Sequence, residues 1–286
     1  MSRGTWIFLL ILGACAAPVV DSRRAGDRLP RQGDEIVVCG QLFHTGTRVV
    51  LWTDPGGFDA YRPHRHLDEG NREPTRGKGA ARYGTFRQNL PASIDARVRQ
   101  QGWSLDDLSA VVRQIVVHYD AAGTSARCFE ILHDVRGLSA HFMLDTDGTI
   151  YQTLDCKERA WHAGPANDVS VGIEIANRGA YADRSAAGEG PVVEGKIHDT
   201  TLYQTPFTDE QYAALAKLCV ALTRVLPRIQ RDFPRDDSGR VIQTVLARSG
   251  SGFEGILGHY HVTRAKVDPG PAFDWARFAA QMKEVE

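Results

Sequence analysis

The chain carries no excess of charge of either sign. Lys and Arg total 34 against 35 Asp and Glu, a net of −1 over 286 residues. A nucleic-acid-binding surface normally shows as a basic surplus, so no nucleic-acid partner is expected. Long apolar runs are also missing. Nothing after residue 20 approaches the roughly 18 continuous apolar residues of a membrane span. Cysteine is scarce, five in all, and no Cys-x-x-Cys or Cys/His finger spacing occurs, which argues against a structural zinc ribbon. Internal repeats and low-complexity segments are absent as well. What is present is an apolar content of 42%, enough for one filled core of about 150–250 residues plus extensions.

The N-terminus differs from the rest. Arg3 gives a positive start, Trp6 to Gly13 is a short apolar run, and small residues follow. This is the pattern of a secretory signal peptide, residues 1–14. The run ends in Leu12-Gly13-Ala14-Cys15, which resembles a bacterial lipobox and predicts lipidation of Cys15. The alternative is a plain secreted protein in which Cys15 is incidental. Ala16 after the Cys, rather than Asp, favours the outer membrane, facing the periplasm. Residues 15–33 are rich in Arg, Asp, Pro and Gly and read as a tether. The other four cysteines, Cys39, Cys128, Cys156 and Cys219, allow 3 pairings between which sequence does not choose.

Residues 34–92 form an extension with no recognisable role. Glu35 to Trp52 alternates around His44-Thr45-Gly46, which predicts a small hairpin. Asp54 to Asn89 reads as irregular, and His64-Arg65-His66 within it is either a metal pair or, more commonly, a solvated one. The main domain is expected over 93–286. Ser104 with Asp106 and Asp107 marks a helix start. Ile115-Val116-Val117 and Val171 to Ile175 read as strands buried on both faces. Cys128, Ile131, Leu132 and Val135 follow helical spacing. Asp145 to Gly148 is a turn between two strands. Thr208 and Gln211 resemble a capping box before a helix that stops at Pro227. Ile256-Leu257 is a short strand, and Asp274 to Val285 a final helix. Strands interleaved with helices predict an α/β fold, a mixed central β-sheet flanked by helices. Residues 179–206 and 228–252 are polar and predict surface loops.

Chemistry concentrates at strand ends. His118 closes one buried run and His259 follows another. Each alone is commonly a rim histidine. Asp268 lies nine residues on, in Lys266-Val267-Asp268-Pro269-Gly270-Pro271, where the prolines stiffen the chain. Two His and one carboxylate leave a fourth tetrahedral position open, the form of a catalytic zinc site. Glu174 interrupts the apolar run Val171-Gly172-Ile173-Glu174-Ile175. A carboxylate there is costly unless paired or functional, so it is either half of a buried salt bridge or a general base. Lys266 is either a solvated loop lysine or an oxyanion stabiliser.

Four segments then resemble, in order, the zinc N-acetylmuramoyl-L-alanine amidases of type 2, which share a fold with the peptidoglycan recognition proteins. They are Ile115-Val116-Val117-His118; Ser139-Ala140-His141-Phe142 running through Asp147-Gly148-Thr149-Ile150-Tyr151-Gln152; Arg159-Ala160-Trp161-His162-Ala163-Gly164 with Val171-Gly172-Ile173-Glu174; and Gly258-His259 with Lys266-Val267-Asp268-Pro269-Gly270-Pro271-Ala272-Phe273-Asp274-Trp275. The resemblance implies Zn2+ held by His118, His259 and Asp268, with Glu174 activating the attacking water and Lys266 stabilising the oxyanion. It implies Trp161 and His162 as the wall of a substrate groove, with a core aromatic as the alternative for Trp161. His141 is expected to be structural or groove-lining. The implied reaction is hydrolysis of the amide between the muramyl lactyl group and L-Ala of peptidoglycan or a muropeptide. The rival readings are a non-catalytic peptidoglycan-binding module and a zinc peptidase acting within the stem peptide. A monomer is expected, attached to the membrane only through its lipid. Two departures stand out. His261 replaces an Asp that many relatives carry two residues after the second ligand His, and the stretch between His and Asp ligands is one residue shorter than is common. His261 is therefore a candidate to approach the metal.

Overall fold

A computed structural model describes residues 31–62 and 81–285. The signal segment, Cys15, most of the tether and His64-Arg65-His66 lie outside the described residues. One compact unit runs from Gln32 to Glu286. It begins well before the Ser93 start expected from sequence.

The strands are β1 (Glu35–Val38), β2 (Gln41–His44), β3 (Val49–Leu51), β4 (Tyr83–Gly84), β5 (Gln114–Tyr119), β6 (Phe142–Leu144), β7 (Ile150–Gln152), β8 (Arg159–Ala160), β9 (Ser170–Ile175), β10 (Ala180–Tyr181), β11 (Val193–Ile197), β12 (Thr200–Gln204) and β13 (Gly255–Gly258). The α-helices are α1 (Ala92–Gln101), α2 (Leu105–Val111), α3 (Ser125–Phe129), α4 (Asp209–Val225), α5 (His259–Val262) and α6 (Trp275–Glu284). Six strands form the central sheet in the order β13-β5-β9-β6-β7-β3. All pairs are parallel except β6 with β7. The expected mixed sheet with helices is observed.

Alternation along the strands sorts side chains to two faces. Ile115, Val117, Val171, Ile173, Ile175 and Ile256 enter the main core with residues of α4 and α6. Val116 and Leu257 face the other way, into a smaller cluster with Ala163 and Ala166. By the same parity His118 and Glu174 belong to this second face. The helix starts follow the sequence. Ser104 Oγ accepts from the Asp107 N–H, and Thr208 with Gln211 closes a capping box.

Three expectations are corrected. The first hairpin turns at Cys39-Gly40, both at positive φ, rather than at His44 to Gly46. This places Val49–Leu51 on the central sheet, parallel to β7. The helical run after Ser125 continues as a π-helix over Glu130–Arg136. Its wider turn breaks the 3.6-residue register, so His133 and Asp134 turn inward and Val135 is left 37% exposed. Residues 179–206 are not simply loop, since β10, β12 and β11 make a three-stranded antiparallel sheet.

The early segment is sewn into the same unit. Gln152, fully buried, accepts from the Val37 N–H at 2.7 Å and donates to the Val37 and Leu154 carbonyls. The Asp155 carboxylate accepts from the Cys39 and Gly40 N–H groups at the hairpin turn, as a carboxylate does at clustered backbone donors. All four described cysteines are free thiols.

Candidate metal centre

Parallel registry brings the chemistry together. His118 on β5 pairs with Glu174 on β9, and Val117 pairs with Gly258 on β13, one residue before His259. His118, Glu174 and His259 therefore sit in a row at the carboxyl ends of three adjacent strands, where open α/β sheets form their crevices. Asp268 reaches this row from the loop after α5. Its Oδ2 lies 2.8 Å from His118 Nδ1 and 3.0 Å from His259 Nδ1. One donor atom from each of the three falls within 4.8 Å of the others, and all three residues are buried. The two imidazoles meet edge-on, with centroids 4.5 Å apart.

The electrostatics suit ligation. Burial, reinforced by His259, lowers the His118 pKa to about 4, so the ring is neutral at pH 7. Burial acts to raise the Asp268 carboxyl, but its close contact with the His118 and His259 rings more than offsets this and holds the group well below the usual carboxylate range. The hydrogen-bond chain behind His118 supplies an independent test of fit. His118 Nε2 lies 3.0 Å from His162 Nδ1, and His162 Nε2 lies 3.2 Å from Ser170 Oγ, which donates to the Ala166 carbonyl at 2.7 Å. Ser170 has one hydrogen and spends it on Ala166. His162 Nε2 must then donate to Ser170, and His162 Nδ1 must accept from His118 Nε2. This assigns the His118 hydrogen to Nε2 and leaves Nδ1, the atom facing His259 and Asp268, as a bare lone pair. That is the tautomer a metal requires.

Above this floor lies a cleft of about 340 Å³. Glu174 stands in it, 8% exposed. Burial first, and the Asp268 carboxylate second, push its carboxyl well above the usual range. Lys266 is exposed at the rim, and Trp161 and His162 form one wall. Trp161 is half-buried and enters none of the buried apolar clusters among the described residues. Its N–H donates to Ser139 Oγ at 3.0 Å, which fixes the wall. His162 lies flat on β9 because residue 172 is glycine. A Cβ there would stand 2.6 Å from the ring.

The sequence model of the family described as N-acetylmuramoyl-L-alanine amidase matches residues 108–271. The chain belongs to that family. It is 33% identical over 162 residues to the 1,6-anhydro-N-acetylmuramyl-L-alanine amidase AmpD of Enterobacter cloacae, covering 54% of this chain and 60% of that one. It is 24% identical over 206 residues to the N-acetylmuramoyl-L-alanine amidase AmiD of Escherichia coli K12, covering 64% and 60%. The chain thus spans about 60% of the length of these curated relatives. Among solved structures, a selenomethionine AmpD derivative aligns with a TM-score of 0.39 at 23% identity, over 75% of this chain and 95% of that one.

Two further histidines singled out by the sequence, His141 and His261, stay off the metal centre and bind backbone. His141 is fully buried. Its Nδ1 accepts from the Gly172 N–H and its Nε2 donates to the Glu158 carbonyl, so both nitrogens serve the backbone. His261 also stays off the metal centre. Its Nδ1 accepts from the Gly258 N–H at 2.9 Å and its Nε2 donates to the Ile242 carbonyl at 2.6 Å. The departure at this position thus ties the 228–252 segment to the strand end that carries His259. Sequence reasoning missed Ser170 and Asn167. Asn167 Oδ1 accepts from the His162 and Ala163 N–H groups and shapes the wall. Neither sits in a pattern that distinguishes it from an ordinary Ser or Asn near a strand start.

Proposed function

We propose that this chain is a zinc-dependent N-acetylmuramoyl-L-alanine amidase, hydrolysing the amide between the muramyl lactyl group and L-Ala in peptidoglycan or its muropeptides. The observation that carries the reading is the convergence of His118 Nδ1, His259 Nδ1 and an Asp268 oxygen at the floor of a cleft, with Glu174 beside them. The family, and the bond named in both relatives' descriptions, support the same substrate. Zinc bound there supplies Lewis acidity toward the scissile carbonyl and lowers the pKa of water to about 7.

The chain's own residues do the rest. Glu174, with its proton affinity raised by burial, takes a proton from the attacking water as the oxygen bonds to the carbonyl carbon. It returns that proton to the leaving L-Ala nitrogen as the C–N bond breaks. The Lys266 ammonium approaches the carbonyl oxygen as charge builds there. Trp161 offers a flat apolar face to sugar or peptide, and neutral His162 holds His118 in its ligating tautomer. A complete donor set with an adjacent base is what a purely binding module does not need.

The test is mass spectrometry of products from purified peptidoglycan. Release of intact stem peptides beginning with L-Ala supports the reading. Cleavage within the stem, or no cleavage by protein carrying near-stoichiometric zinc, overturns it. On our reading the enzyme is a monomer of the cell envelope, and the lipobox-like Leu12-Gly13-Ala14-Cys15 supports a lipid anchor for it. Labelled fatty acid that enters the parent but not Cys15→Ala tests that part.

A further inference from the structure

The stretch from Thr263 to Phe273 carries both Lys266 and Asp268 and is mostly turns. Its anchorage comes from the β10-β12-β11 sheet. On β12, the fully buried Gln204 donates to the Pro269 carbonyl at 3.0 Å and accepts from the Ala272 N–H at 3.0 Å. On β11, Gly195 lies against Pro271, where a Cβ would come within 2.7 Å of the ring. At the turn between β11 and β12, His198 and Asp199 both stand at positive φ, 51° and 69°. This turn projects the His198 ring onto the loop. His198 Nε2 donates to the Lys266 carbonyl at 2.8 Å, since a carbonyl only accepts. Nδ1 then accepts from the Thr244 hydroxyl at 3.1 Å, and the His198 N–H donates to the Gln243 carbonyl.

Asp268 therefore sits between two clamps, His198 at residue 266 and Gln204 at residues 269 and 272. We infer that His198 is a positioning residue of the metal centre: its bond to the Lys266 carbonyl fixes the loop that presents Asp268 to the two histidines and Lys266 to the cleft. The inference rests on the zinc reading above. The physical reason is the loop's otherwise thin support. The Lys266 N–H makes only a long 3.3 Å bond to the Thr263 carbonyl, and the Asp268 carbonyl accepts from the Tyr260 N–H at 3.1 Å. Groups that orient ligands from outside the metal's own contacts commonly change affinity by 10–100-fold.

His198 is partly exposed, so its removal does not open the core. His198→Gly keeps the left-handed backbone available and deletes only the ring. His198→Asn retains an N–H donor in a residue that tolerates positive φ. Thr244→Val removes the hydroxyl that aims the ring. The experiment loads each protein with zinc and follows its loss to a chromogenic chelator. His198→Gly is expected to release zinc about tenfold faster than the parent, His198→Asn at an intermediate rate, and Thr244→Val faster than the parent but slower than His198→Gly. In muropeptide hydrolysis kcat falls about tenfold while KM stays within about twofold, since Lys266 acts only as charge develops. Thermal unfolding of the metal-free proteins is expected to be unchanged. Parental zinc release from His198→Gly overturns the inference while leaving the amidase reading standing. Earlier unfolding that accounts for the loss overturns it as well, by showing a general stabilising role. A parent that binds no zinc removes both readings together.

Discussion

Arg87 offers the sharpest test of how the cleft wall is supported. Its guanidinium is 1% exposed and is met by carbonyls. It donates to Asn167 and Ser170 from one nitrogen, at 3.0 and 3.1 Å, and to Cys156 and Glu158 from another, at 2.7 and 2.9 Å. Burial lowers its pKa to about 10, still far above neutrality, so the group is charged at pH 7. Arg87→Met keeps length and apolar bulk and takes the guanidinium donor from the Asn167, Ser170 and Cys156 carbonyls, while the Glu158 carbonyl keeps its bond from His141 Nε2. Each unsatisfied buried acceptor costs about 1 kcal/mol at the low end of the usual range, or about 3 kcal/mol for the three. That agrees with the roughly 3–5 kcal/mol seen when one partner of a buried charged contact is removed. In a unit of roughly 250 residues, where 1 kcal/mol moves Tm by about 2–4 °C, melting should fall by about 6–12 °C. Differential scanning calorimetry reads this directly. A drop under about 3 °C would mean that water replaces the guanidinium without penalty, and the argument from buried carbonyls would be wrong. The same four carbonyls flank the segment bearing Trp161 and His162, so KM should rise at temperatures where the variant stays folded.

Other expectations follow from the site. Glu174→Gln should lower kcat by about 10²–10⁴-fold with zinc content unchanged; zinc lost in parallel would make the carboxylate structural. Ser170→Ala removes the hydroxyl that sets the His162 and His118 tautomers and should weaken zinc affinity by about tenfold or more in chelator competition, whereas parental affinity would break the relay argument. Gly172→Ala forces the His162 ring off β9, so muropeptide KM should rise, and a crystal structure with the ring unmoved would contradict the packing. The pH dependence of stability has a definite sign. Burial lowers His141 to about 3 and His261 to about 4, below the roughly 6.5 of an unfolded imidazole. The unfolded chain therefore binds protons first, so stability is full above about pH 6.5 and is lost as pH falls toward 4, by about 3 kcal/mol per ring. Urea titrations of metal-free protein at pH 7 and 4.5 check this, and equal midpoints would refute it.

Much of the site was legible because strand ends are legible. Continuous apolar runs located β5 and β9, and the residue that breaks or ends each run, His118 or Glu174, is the one the cleft uses. The rest depended on partners remote in sequence. Nothing local foretells that Val49–Leu51 joins a sheet through Ile150 to Gln152, because a three-residue parallel edge strand has too short a pattern to read. The hairpin turns escaped for a different reason. Cys39-Gly40 and His198-Asp199 adopt left-handed conformations that sequence normally signals with Asn-Gly or Asp-Gly. Val135 turns outward because the chain winds there as a π-helix, whose wider turn departs from the 3.6-residue spacing of an α-helix. Ser170 acts through another side chain, and such a role leaves no mark on periodicity.

The placement of β3 has a consequence for how the molecule is made. Its partner β7 lies about a hundred residues further along the chain, so during synthesis the segment emerges early and waits for the edge it will cover. Closing so long a loop is slow relative to local hairpins and helices. Until it closes, the outer side of β7 presents unpaired N–H and C=O groups to any other extended strand. β3 thus acts as a built-in cover for an otherwise sticky edge. Removing β3 would bare that edge and leave a chain prone to pair with its own copies.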